Sequence, residues 1–448
     1  MRIDLRLRRQ KLSPAKIIVT YYFIAVTVSI LLLSLPLARR PEAEWTFIDA
    51  LFTSVSAVSV TGLSTISIKD TFTTPGYFIL AFILQFGGIG IMTLSTFIWL
   101  VLRRRIGLKE RKLIMTDQNQ SNLSGLVNLL KQILILILAI EIVGGLILGT
   151  YMLKYYPDWQ EAYLHGFFAS VSATTNGGFD ITGQSLIPFA KDYFIQFINI
   201  LLLTLGAIGF PVLIELKTYL FHEKKHRFTL FAKVTSITFL GLLAFGTIGI
   251  LLLDSQHFFK DKPWHESLFY ALFQSSTTRS GGLATMDVSQ FSDSTLLFMC
   301  LLMFIGASPS SVGGGIRTTT FALNLLFIYH FARGAKSLKL FKREVHEADI
   351  TKSLVVTIVA VMICFVSTII LAATEPFTLL EILFEVSSAF GTTGLSLGIT
   401  ADLSTIGKII IILLMFIGRI GIVTLLLMMG KKEIEANFKY PTERIIIG

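Results

Sequence analysis

Charged residues are scarce in this chain: Asp, Glu, Lys and Arg make up only 15% of its 448 residues, whereas 53% are hydrophobic and 12% are aromatic. A soluble core of ordinary proportions cannot bury so large a share of apolar side chains. The composition therefore excludes an ordinary soluble globular protein and predicts an all-α protein integral to a membrane.

Cysteine is also scarce, because the chain has only Cys300 and Cys364, and both fall inside apolar segments. A lone cysteine in such a segment is usually a small core residue, so no disulfide is expected. The H-E-x-x-H, G-x-S-x-G and P-loop motifs of common enzymes are absent from the sequence. His165, His257 and His265 are scattered and lack the spacing of metal ligands. A membrane enzyme is the alternative class, but we predict that the chain is not an enzyme and holds no cofactor or resident metal.

Eight apolar runs are long enough to cross a bilayer, which requires about 20 residues. They lie at 17–37, 76–102, 129–153, 193–216, 230–253, 294–332, 353–374 and 406–429. Within each successive pair lies a weaker apolar piece, at 47–58, 162–174, 266–277 and 379–390. These pieces are too short to cross and have the length of re-entrant helices, whose irregular ends need protein or water around them.

A serine is followed six residues later by a glycine, and then at once by Leu or Phe, in four places. The copies are Ser56/Gly62/Leu63, Ser172/Gly178/Phe179, Ser276/Gly282/Leu283 and Ser388/Gly394/Leu395. In each copy a Phe or Leu lies ten residues before the glycine; these residues are Phe52, Phe168, Leu272 and Phe384. The spacing divides the chain into four repeats, each with a first span (M1), a pore helix (P), an extended loop and a second span (M2). The predicted repeats are 1–112, 113–225, 226–345 and 346–448.

Each repeat contains two crossings, so successive repeats enter the membrane with the same orientation and are related by an axis along the membrane normal. The sequence therefore predicts four M1-P-M2 repeats, with eight transmembrane helices and four re-entrant pore helices, in a pseudo-fourfold arrangement around one pore. Most of the 39 Lys and Arg lie in loops on one side, which places both termini in the cytoplasm. The net charge of +10 then reflects topology and not nucleic-acid binding.

The residues just before each repeated glycine are small or polar. An ion that sheds its water needs replacement oxygens, and a short strand with glycine can turn backbone carbonyls inward. The predicted cation-binding filter consists of Val60, Thr61, Gly62, Asn176, Gly177, Gly178, Ser280, Gly281, Gly282, Thr392, Thr393 and Gly394. The alternative is that these small residues only permit close helix packing.

The run 294–332 would be about 58 Å long as one helix, nearly twice the thickness of the hydrocarbon core, so it must break. The predicted break is an intramembrane loop over 306–317, whose small or helix-breaking residues are expected to lie in the conduction path beneath the filter. These residues are Gly306, Ala307, Ser308, Pro309, Ser310, Ser311, Gly313, Gly314 and Gly315. A plain helix kink is the alternative.

Charges at membrane depth are costly and point to function. Arg419 stands in the last apolar span and is expected to be functional; a structural ion pair away from the pore is the alternative. Arg317 is expected to end the intramembrane loop at the cytoplasmic edge. Glu141 has no partner that the sequence identifies, and a structural and a functional role are equally open. Arg279 and Glu385 could pair behind adjacent filter strands.

The chain resembles the membrane subunit of the Ktr/Trk/HKT superfamily of potassium transporters, and most closely the Ktr type. The filter sequences Thr61-Gly62-Leu63 and Thr393-Gly394-Leu395 match, as do three second-span signatures. These signatures are Gly87-Gly88-Ile89-Gly90, Gly206-Ala207-Ile208-Gly209 and Gly418-Arg419-Ile420-Gly421. The resemblance implies potassium uptake across the cell membrane, with Gly62 typical of potassium selectivity. Glycines at 177 and 281, where the family usually has Ala or Thr, imply a looser filter. A sodium-selective or sodium-coupled carrier on the same fold is the alternative.

The resemblance also implies how the subunit is assembled and gated. The stretch that matches 306–317 is the intramembrane gate loop in that family, and the counterpart of Arg419 faces the pore beside it. The family forms homodimers in the lipid bilayer that are seated on a cytoplasmic ring of regulatory subunits, and a nucleotide is expected on those subunits. Arg103–Lys112, His222–Arg227 and Arg333–Arg343 are candidate docking surfaces, although retention of positive charge in the cytoplasm accounts for them equally well.

Overall fold

The computed structural model describes residues 14–90, 126–221, 227–335, 337–429, 443, 445 and 446. Within these residues the chain is dominated by helices, which confirms the predicted helical class. The described strands are Lys339–Leu340 (β1) and Arg343–Glu344 (β2), which pair antiparallel as a short hairpin. The candidate docking surface Arg103–Lys112 and most of His222–Arg227 lie outside the described residues.

The helices are numbered in chain order. They are α1 (Pro14–Leu33), α2 (Phe47–Ser59), α3 (Ile68–Thr71), α4 (Thr74–Ile89), α5 (Leu126–Met152), α6 (Trp159–Thr174), α7 (Tyr193–Ala207), α8 (Phe210–Phe221), α9 (Leu230–Leu253), α10 (Trp264–Thr277), α11 (Asp293–Ile305), α12 (Thr318–Ala332), α13 (Glu347–Thr374), α14 (Leu379–Gly391), α15 (Thr405–Ile420) and α16 (Ile422–Met429). Two short 3₁₀ helices, Ile187–Phe189 and Val288–Gln290, precede α7 and α11.

Four described helices, α1, α5, α9 and α13, are long and apolar enough to cross a membrane. Two bent pairs, α7 with α8 and α15 with α16, bring the number to six if each pair is one span. Large apolar side chains such as Ile142, Leu146, Phe365 and Ile369 are exposed on α5 and α13. Exposed apolar faces on such helices are expected where lipid, and not water, surrounds the protein.

The predicted spans at 193–216 and 406–429 are each divided into two helices. The chain bends by 106° between α7 and α8 and by 96° between α15 and α16. Gly209 and Gly421 lie at these bends with φ angles of 103° and 86°, which side chains other than glycine rarely adopt. The second spans are therefore broken where the sequence shows the repeated G-x-I-G signature.

Helices α4 and α1 each end before the last residue of the apolar run that contains them. Helix α4 ends at Ile89, with Gly90 at a φ of 91°, and the remainder of the run 76–102 lies outside the described residues. Helix α1 ends at Leu33 and not at residue 37, because Pro36 disfavours helical torsions in the residue before it. The predicted break in 294–332 is confirmed, since α11 and α12 are separated by twelve non-helical residues at 306–317.

The four short apolar segments are helices, as predicted. Helices α2 and α14 each begin with a capping box, formed by Thr46 with Asp49 and by Thr378 with Glu381. Each box satisfies backbone N–H groups that the first helical turn leaves unpaired. The chain can therefore start a short helix here without help from a neighbouring element.

The residues ten positions before the repeated glycines anchor three of these helices in the core. Phe52, Phe168 and Phe384 are buried, with exposures of 0%, 1% and 0%. In the third copy Leu272 is half-buried, and its neighbour Phe273 is fully buried instead. The apolar anchor is thus present in every copy, but it is shifted by one residue in α10.

Candidate ion-conduction site

The four repeated glycines meet at one place. A Cβ atom added to Gly62 would lie 2.8 Å from the Cα of Gly178, and one added to Gly178 would lie 3.0 Å from the Cα of Gly282. A Cβ atom on Gly282 would lie 2.5 Å from the carbonyl oxygen of Thr393, and one on Gly394 would lie 3.1 Å from the Cα of Gly62. Each glycine therefore faces the equivalent backbone of the next copy, and the contacts close a ring.

Backbone carbonyl oxygens lie close to the glycines of this ring. The oxygen of Gly177 would be 2.8 Å from a Cβ atom on Gly62, and that of Thr61 would be 3.2 Å from one on Gly178. Gly62, Gly178 and Gly394 are half-buried, whereas the other nine predicted filter residues are buried. The ring thus presents partial negative charge beside accessible backbone, which suits a cation that has lost its water.

The backbone of the four strands has the same unusual conformation in every copy. The residue two positions before each glycine has a positive φ: 56° at Val60, 52° at Asn176, 76° at Ser280 and 47° at Thr392. Such angles are uncommon for residues with a side chain and persist only where surrounding contacts impose them. A positive φ repeated at equivalent positions indicates one imposed geometry.

Hydroxyl groups at the ends of the pore helices impose that geometry. Ser56 and Ser388 accept hydrogen bonds from the backbone N–H groups of Gly62 and Gly394, at 3.1 and 3.0 Å. In the second copy Ser172 donates to the carbonyl of Phe179 at 2.6 Å, and in the third copy Thr277 donates to that of Leu283 at 2.6 Å. The repeated serine therefore ties three of the strands to their helices, and Thr277 has this role in the third.

The loop at 306–317 packs on the break in the second repeat. The N–H of Ser308 donates to the carbonyl of Ala207 at 3.0 Å, and that of Val312 donates to the carbonyl of Gly206 at 3.3 Å. In return, the N–H of Phe210 donates to the carbonyl of Ser310 at 2.8 Å. The backbone groups that the α7–α8 bend leaves unpaired are thus satisfied by the loop.

The same loop touches the filter strands. The hydroxyl of Ser280 donates to the carbonyl of Thr392 at 2.6 Å and accepts from the N–H of Gly314 at 3.3 Å. A Cβ atom on Gly314 would lie 2.6 Å from the hydroxyl oxygen of Thr392. One side chain therefore joins the third strand, the fourth strand and the loop.

Arg419 links the loop to the end of α4. Its guanidinium donates to the carbonyls of Val312 and Gly313 in the loop and to those of Gly87 and Gly88 in α4. Because α4 ends at Ile89, some of its last carbonyls lack helical partners, and a planar cation with several donors can satisfy them. Arg419 thereby joins the end of α15 to two parts of the chain that are distant in sequence, the loop and α4.

Arg317 caps the loop at its other end. It precedes the first residue of α12 with a φ of 81°, and its side chain donates to the carbonyl of Gly313. The prediction that Arg317 ends the loop is therefore confirmed. Its expected position at the cytoplasmic edge stays a prediction.

The sequence interpretation missed the carbonyl groups that receive these bonds. Gly87, Gly88, Gly206 and Ala207 belong to the G-x-I-G signatures, which were read only as a mark of family resemblance. The signal that could have identified them was the G-x-I-G pattern repeated in three apolar spans. One copy of this pattern contains the intramembrane arginine.

Glu141 has a partner that the sequence did not reveal. Its carboxyl accepts a hydrogen bond from the side-chain amide of Gln85, two residues before the carbonyl groups that hold Arg419. Glu141 is 3% exposed, and its Oε1 atom has no hydrogen-bond partner in the described part of the chain. This bond joins α5 to α4 at the depth of the site.

We expect Glu141→Ala to lower the free energy of unfolding by about 1–3 kcal/mol, because it leaves the amide of Gln85 unpaired. Glu141→Gln keeps the volume and a hydrogen-bonding group, so it should cost much less. Thermal unfolding in detergent would compare the two variants with the parent. Equal losses in both variants would show that the carboxyl group itself is required.

The hypothesis that Arg279 pairs with Glu385 is wrong. Among the described residues neither makes an ion pair, although both are 1% exposed. Arg279 donates only to Thr278 at 3.5 Å, whereas Glu385 accepts from Thr400 at 2.5 Å. Each group turns toward its own repeat, so the two do not brace adjacent strands together.

The remaining candidates have local contacts. Cys300 and Cys364 are buried free thiols in the helices α11 and α13. His165 stacks on Tyr156, His257 lies 3.2 Å from Asp254, and His265 lies 2.7 Å from the hydroxyl of Tyr193. In the described ranges, no group of three or more His, Cys, Asp or Glu side chains could hold a metal ion.

Comparison with known proteins agrees with this arrangement. Residues 6–440 match the TrkH family, which is described as a cation transport protein. The chain is 68% identical over 440 residues to the Ktr system potassium uptake protein D of Bacillus subtilis, covering 98% of each chain. It is 33% identical over 448 residues to the potassium/sodium uptake protein NtpJ of Enterococcus hirae, again covering 98% of each.

The fold has a counterpart among solved structures. The crystal structure of the potassium transporter TrkH from Vibrio parahaemolyticus matches with a TM-score of 0.74 and 20% identity, covering 95% of this chain and 86% of that one. The relatives are named as uptake proteins and not as enzymes, which confirms the prediction that this chain is not an enzyme. The chain belongs to the TrkH family of cation transport proteins and, within the Ktr/Trk superfamily, is a membrane subunit of the Ktr type.

Proposed function

We propose that this protein takes up potassium across the cell membrane through a channel-like pore. The ring of Gly62, Gly178, Gly282 and Gly394 is the observation that carries the proposal, because it brings carbonyl oxygens from four sequence copies to one point. The potassium uptake protein of Bacillus subtilis, at 68% identity, supports potassium as the transported ion. The pore needs no cofactor of its own.

The pore is built from four M1-P-M2 repeats, 1–112, 113–225, 226–345 and 346–448, with eight crossings in a pseudo-fourfold arrangement. The order of contacts among the glycines supports this, since each copy touches the next and the fourth touches the first. In this proposal each bent pair, α7 with α8 and α15 with α16, counts as one crossing, and so does the interrupted second span of the third repeat at 294–332. Both termini lie in the cytoplasm, as the distribution of Lys and Arg favours.

Potassium uptake can be tested by growth of cells that lack other potassium uptake systems. We expect this chain, expressed with its regulatory partner, to restore growth at limiting potassium, and uptake of radioactive rubidium to be saturable. Uptake of sodium at the same concentration serves as the comparison. Failure to restore growth, at proven membrane expression, would contradict the proposal.

A sodium-selective or sodium-coupled carrier is the second candidate. The name of the Enterococcus hirae relative, a potassium/sodium uptake protein, supports it, as does glycine at positions 177 and 281 in the filter strands. Potassium uptake measured with and without sodium outside the cell separates coupling from selectivity. Uptake that needs sodium favours a coupled carrier.

The loop at 306–317 is the gate in this proposal. It contacts the third and fourth filter strands through Ser280, and backbone bonds hold it to the α7–α8 bend. Arg419 binds the carbonyls of Val312 and Gly313 in the loop. A loop attached to its neighbours by individual hydrogen bonds can be displaced without unfolding the helices around it.

We expect Arg419→Gln to raise maximal potassium uptake several-fold. The substitution removes a charge that repels cations and the donors that hold the loop to Gly87 and Gly88. Arg419→Lys should be intermediate, because lysine keeps the charge but loses the planar set of donors. Uptake velocity at matched membrane expression is the measurement.

Lys352→Gln is the control for Arg419→Gln, since Lys352 carries an exposed charge beside Asp349, far along the chain from the loop. It should leave uptake unchanged. If Arg419→Gln instead prevents insertion or assembly, the arginine is a structural element and the gating role must be abandoned.

Regulation is proposed to come from a separate chain. The Ktr system to which the Bacillus subtilis relative belongs supports a partner, and we propose a cytoplasmic ring of nucleotide-binding subunits beneath a homodimer of this chain. Nucleotide would bind the ring. Arg333–Arg343, which is described except at residue 336 and contains β1 and the first residue of β2, is a candidate docking surface.

A further inference from the structure

A crevice lies between the beginnings of α4 and α6, where the first and second sequence copies meet. Its volume is about 650 Å³. Its rim carries charges of both signs: Arg40 and Lys69 come from the first copy, and Asp158 and Glu161 come from the second. All four residues are exposed, so the rim is open to solvent.

The lining changes from polar to apolar along both helices. Helix α4 contributes Thr74 at its start and Phe78 one turn later, and α6 contributes Glu161 in its first turn and Phe167 further along. The rings of Phe78 and Phe167 lie 5.7 Å apart. Their exposed fractions are 52% and 39%, so the apolar end opens onto the outer surface of the helices.

The corresponding seam between the second and third copies is closed. Tyr193, at the start of α7, stacks on Phe269 of α10 with ring centroids 4.5 Å apart. Its hydroxyl lies 2.7 Å from Nδ1 of His265. At this second seam the beginnings of the two helices are thus joined by direct side-chain contacts.

We propose that this crevice binds a phospholipid with an amine-bearing headgroup, from the leaflet at which the pore helices begin. Arg40 and Lys69 bind the phosphate, and Asp158 and Glu161 bind the ammonium group. The acyl chains lie over Phe78 and Phe167. A phospholipid has charged groups at one end and hydrocarbon at the other, and the lining of the crevice changes from charged to apolar in the same order. The exposed Trp159 at the rim is a residue type found at the depth of lipid headgroups.

The test uses the full chain, purified in detergent and analysed by native mass spectrometry with phosphatidylethanolamine. We expect the parent to retain one bound lipid. Arg40→Gln/Lys69→Gln should retain at least tenfold less of it. Lys191→Gln/Lys260→Gln is the control, because it removes two exposed cations that do not line the crevice. Unchanged retention in Arg40→Gln/Lys69→Gln would overturn the proposal.

A second variant guards against a folding defect in the first. Leu164→Trp is placed to fill the crevice without changing any charge, and it should also lose the lipid. Phosphatidylcholine, whose amine cannot donate hydrogen bonds, should bind more weakly than phosphatidylethanolamine. Equal binding of the two lipids would overturn the pairing with Asp158 and Glu161, and with it the proposal.

Two further arms distinguish other occupants. Water-soluble glycerophosphoethanolamine and inorganic phosphate should compete poorly, and competition as strong as by the lipid would show that the site binds a free phosphate. Gln160→Cys should not form a disulfide between two copies. A disulfide would identify the crevice as an interface between copies and would also overturn the proposal.

Discussion

Gly62→Ser is expected to raise the KM for potassium roughly tenfold or more and to reduce discrimination against sodium. A Cβ atom at this position would lie 2.8 Å from both the oxygen of Gly177 and the Cα of Gly178, so the ring must shift. The φ of 94° adds strain, since such torsions cost a side-chain-bearing residue about 1–3 kcal/mol. A change of 1.4 kcal/mol is already a factor of ten.

Gly398→Ser is the matched control. Gly398 has a φ of 95°, close to that of Gly62, but nothing lies within 4 Å of the position of its Cβ atom. Gly398→Ser therefore has the same torsional strain but makes no contact with the ring. Uptake measured at graded potassium and sodium concentrations should give the KM values of the parent. Unchanged KM values for both ions in Gly62→Ser would remove Gly62 from the filter.

Deletion of Ser308–Gly314 should give the largest rise in maximal potassium uptake, because it removes the loop from beneath the filter strands. The ends that would be joined are already neighbours. The N–H of Ala307 donates to the carbonyl of Gly314 at 3.2 Å, and a Cβ atom on Gly306 would lie 3.0 Å from the Cα of Gly315. The helices α11 and α12 can therefore keep their positions after the deletion.

The deletion also tests how Arg419 acts. Two of the carbonyl groups that Arg419 binds, those of Val312 and Gly313, leave with the loop. If the arginine gates by holding the loop, Arg419→Gln should add little to the uptake of the deletion variant. A deleted protein that inserts normally, yet transports no faster than the parent, would favour a plain helix kink at this position.

Local pattern in the sequence was enough to predict the helical class, the four short helices and the break between α11 and α12. Each follows from residues near one another in the chain. The run 294–332 is too long for one crossing, and the segments at 47–58 and 379–390 are too short for one. Capping residues such as Thr46 and Thr378 then set where two of these helices begin.

Bends in the spans could not be predicted in the same way. The run 193–216 is mostly apolar, and although Pro211 within it can kink a helix, neither the angle of a bend nor its place at Gly209 follows from that residue. The bend at Gly209 depends on the loop, whose Ser310 carbonyl accepts the N–H of Phe210, a partner about 100 residues away in the chain. The hypothesis that Arg279 pairs with Glu385 also depended on how the repeats pack. Opposite charges in the sequence do not determine whether two side chains face each other.

The sequence by itself determined that this protein is a membrane protein of repeated helical units, since the ratio of apolar to charged residues and the length of each apolar run set those properties. Only the tertiary structure decided which groups meet. The ring of glycines, the link from Arg419 to Gly87 and the bond between Glu141 and Gln85 join residues of different copies. A sequence pattern specifies the period and polarity of a segment, but the partner of a buried polar group is set by how the segments pack.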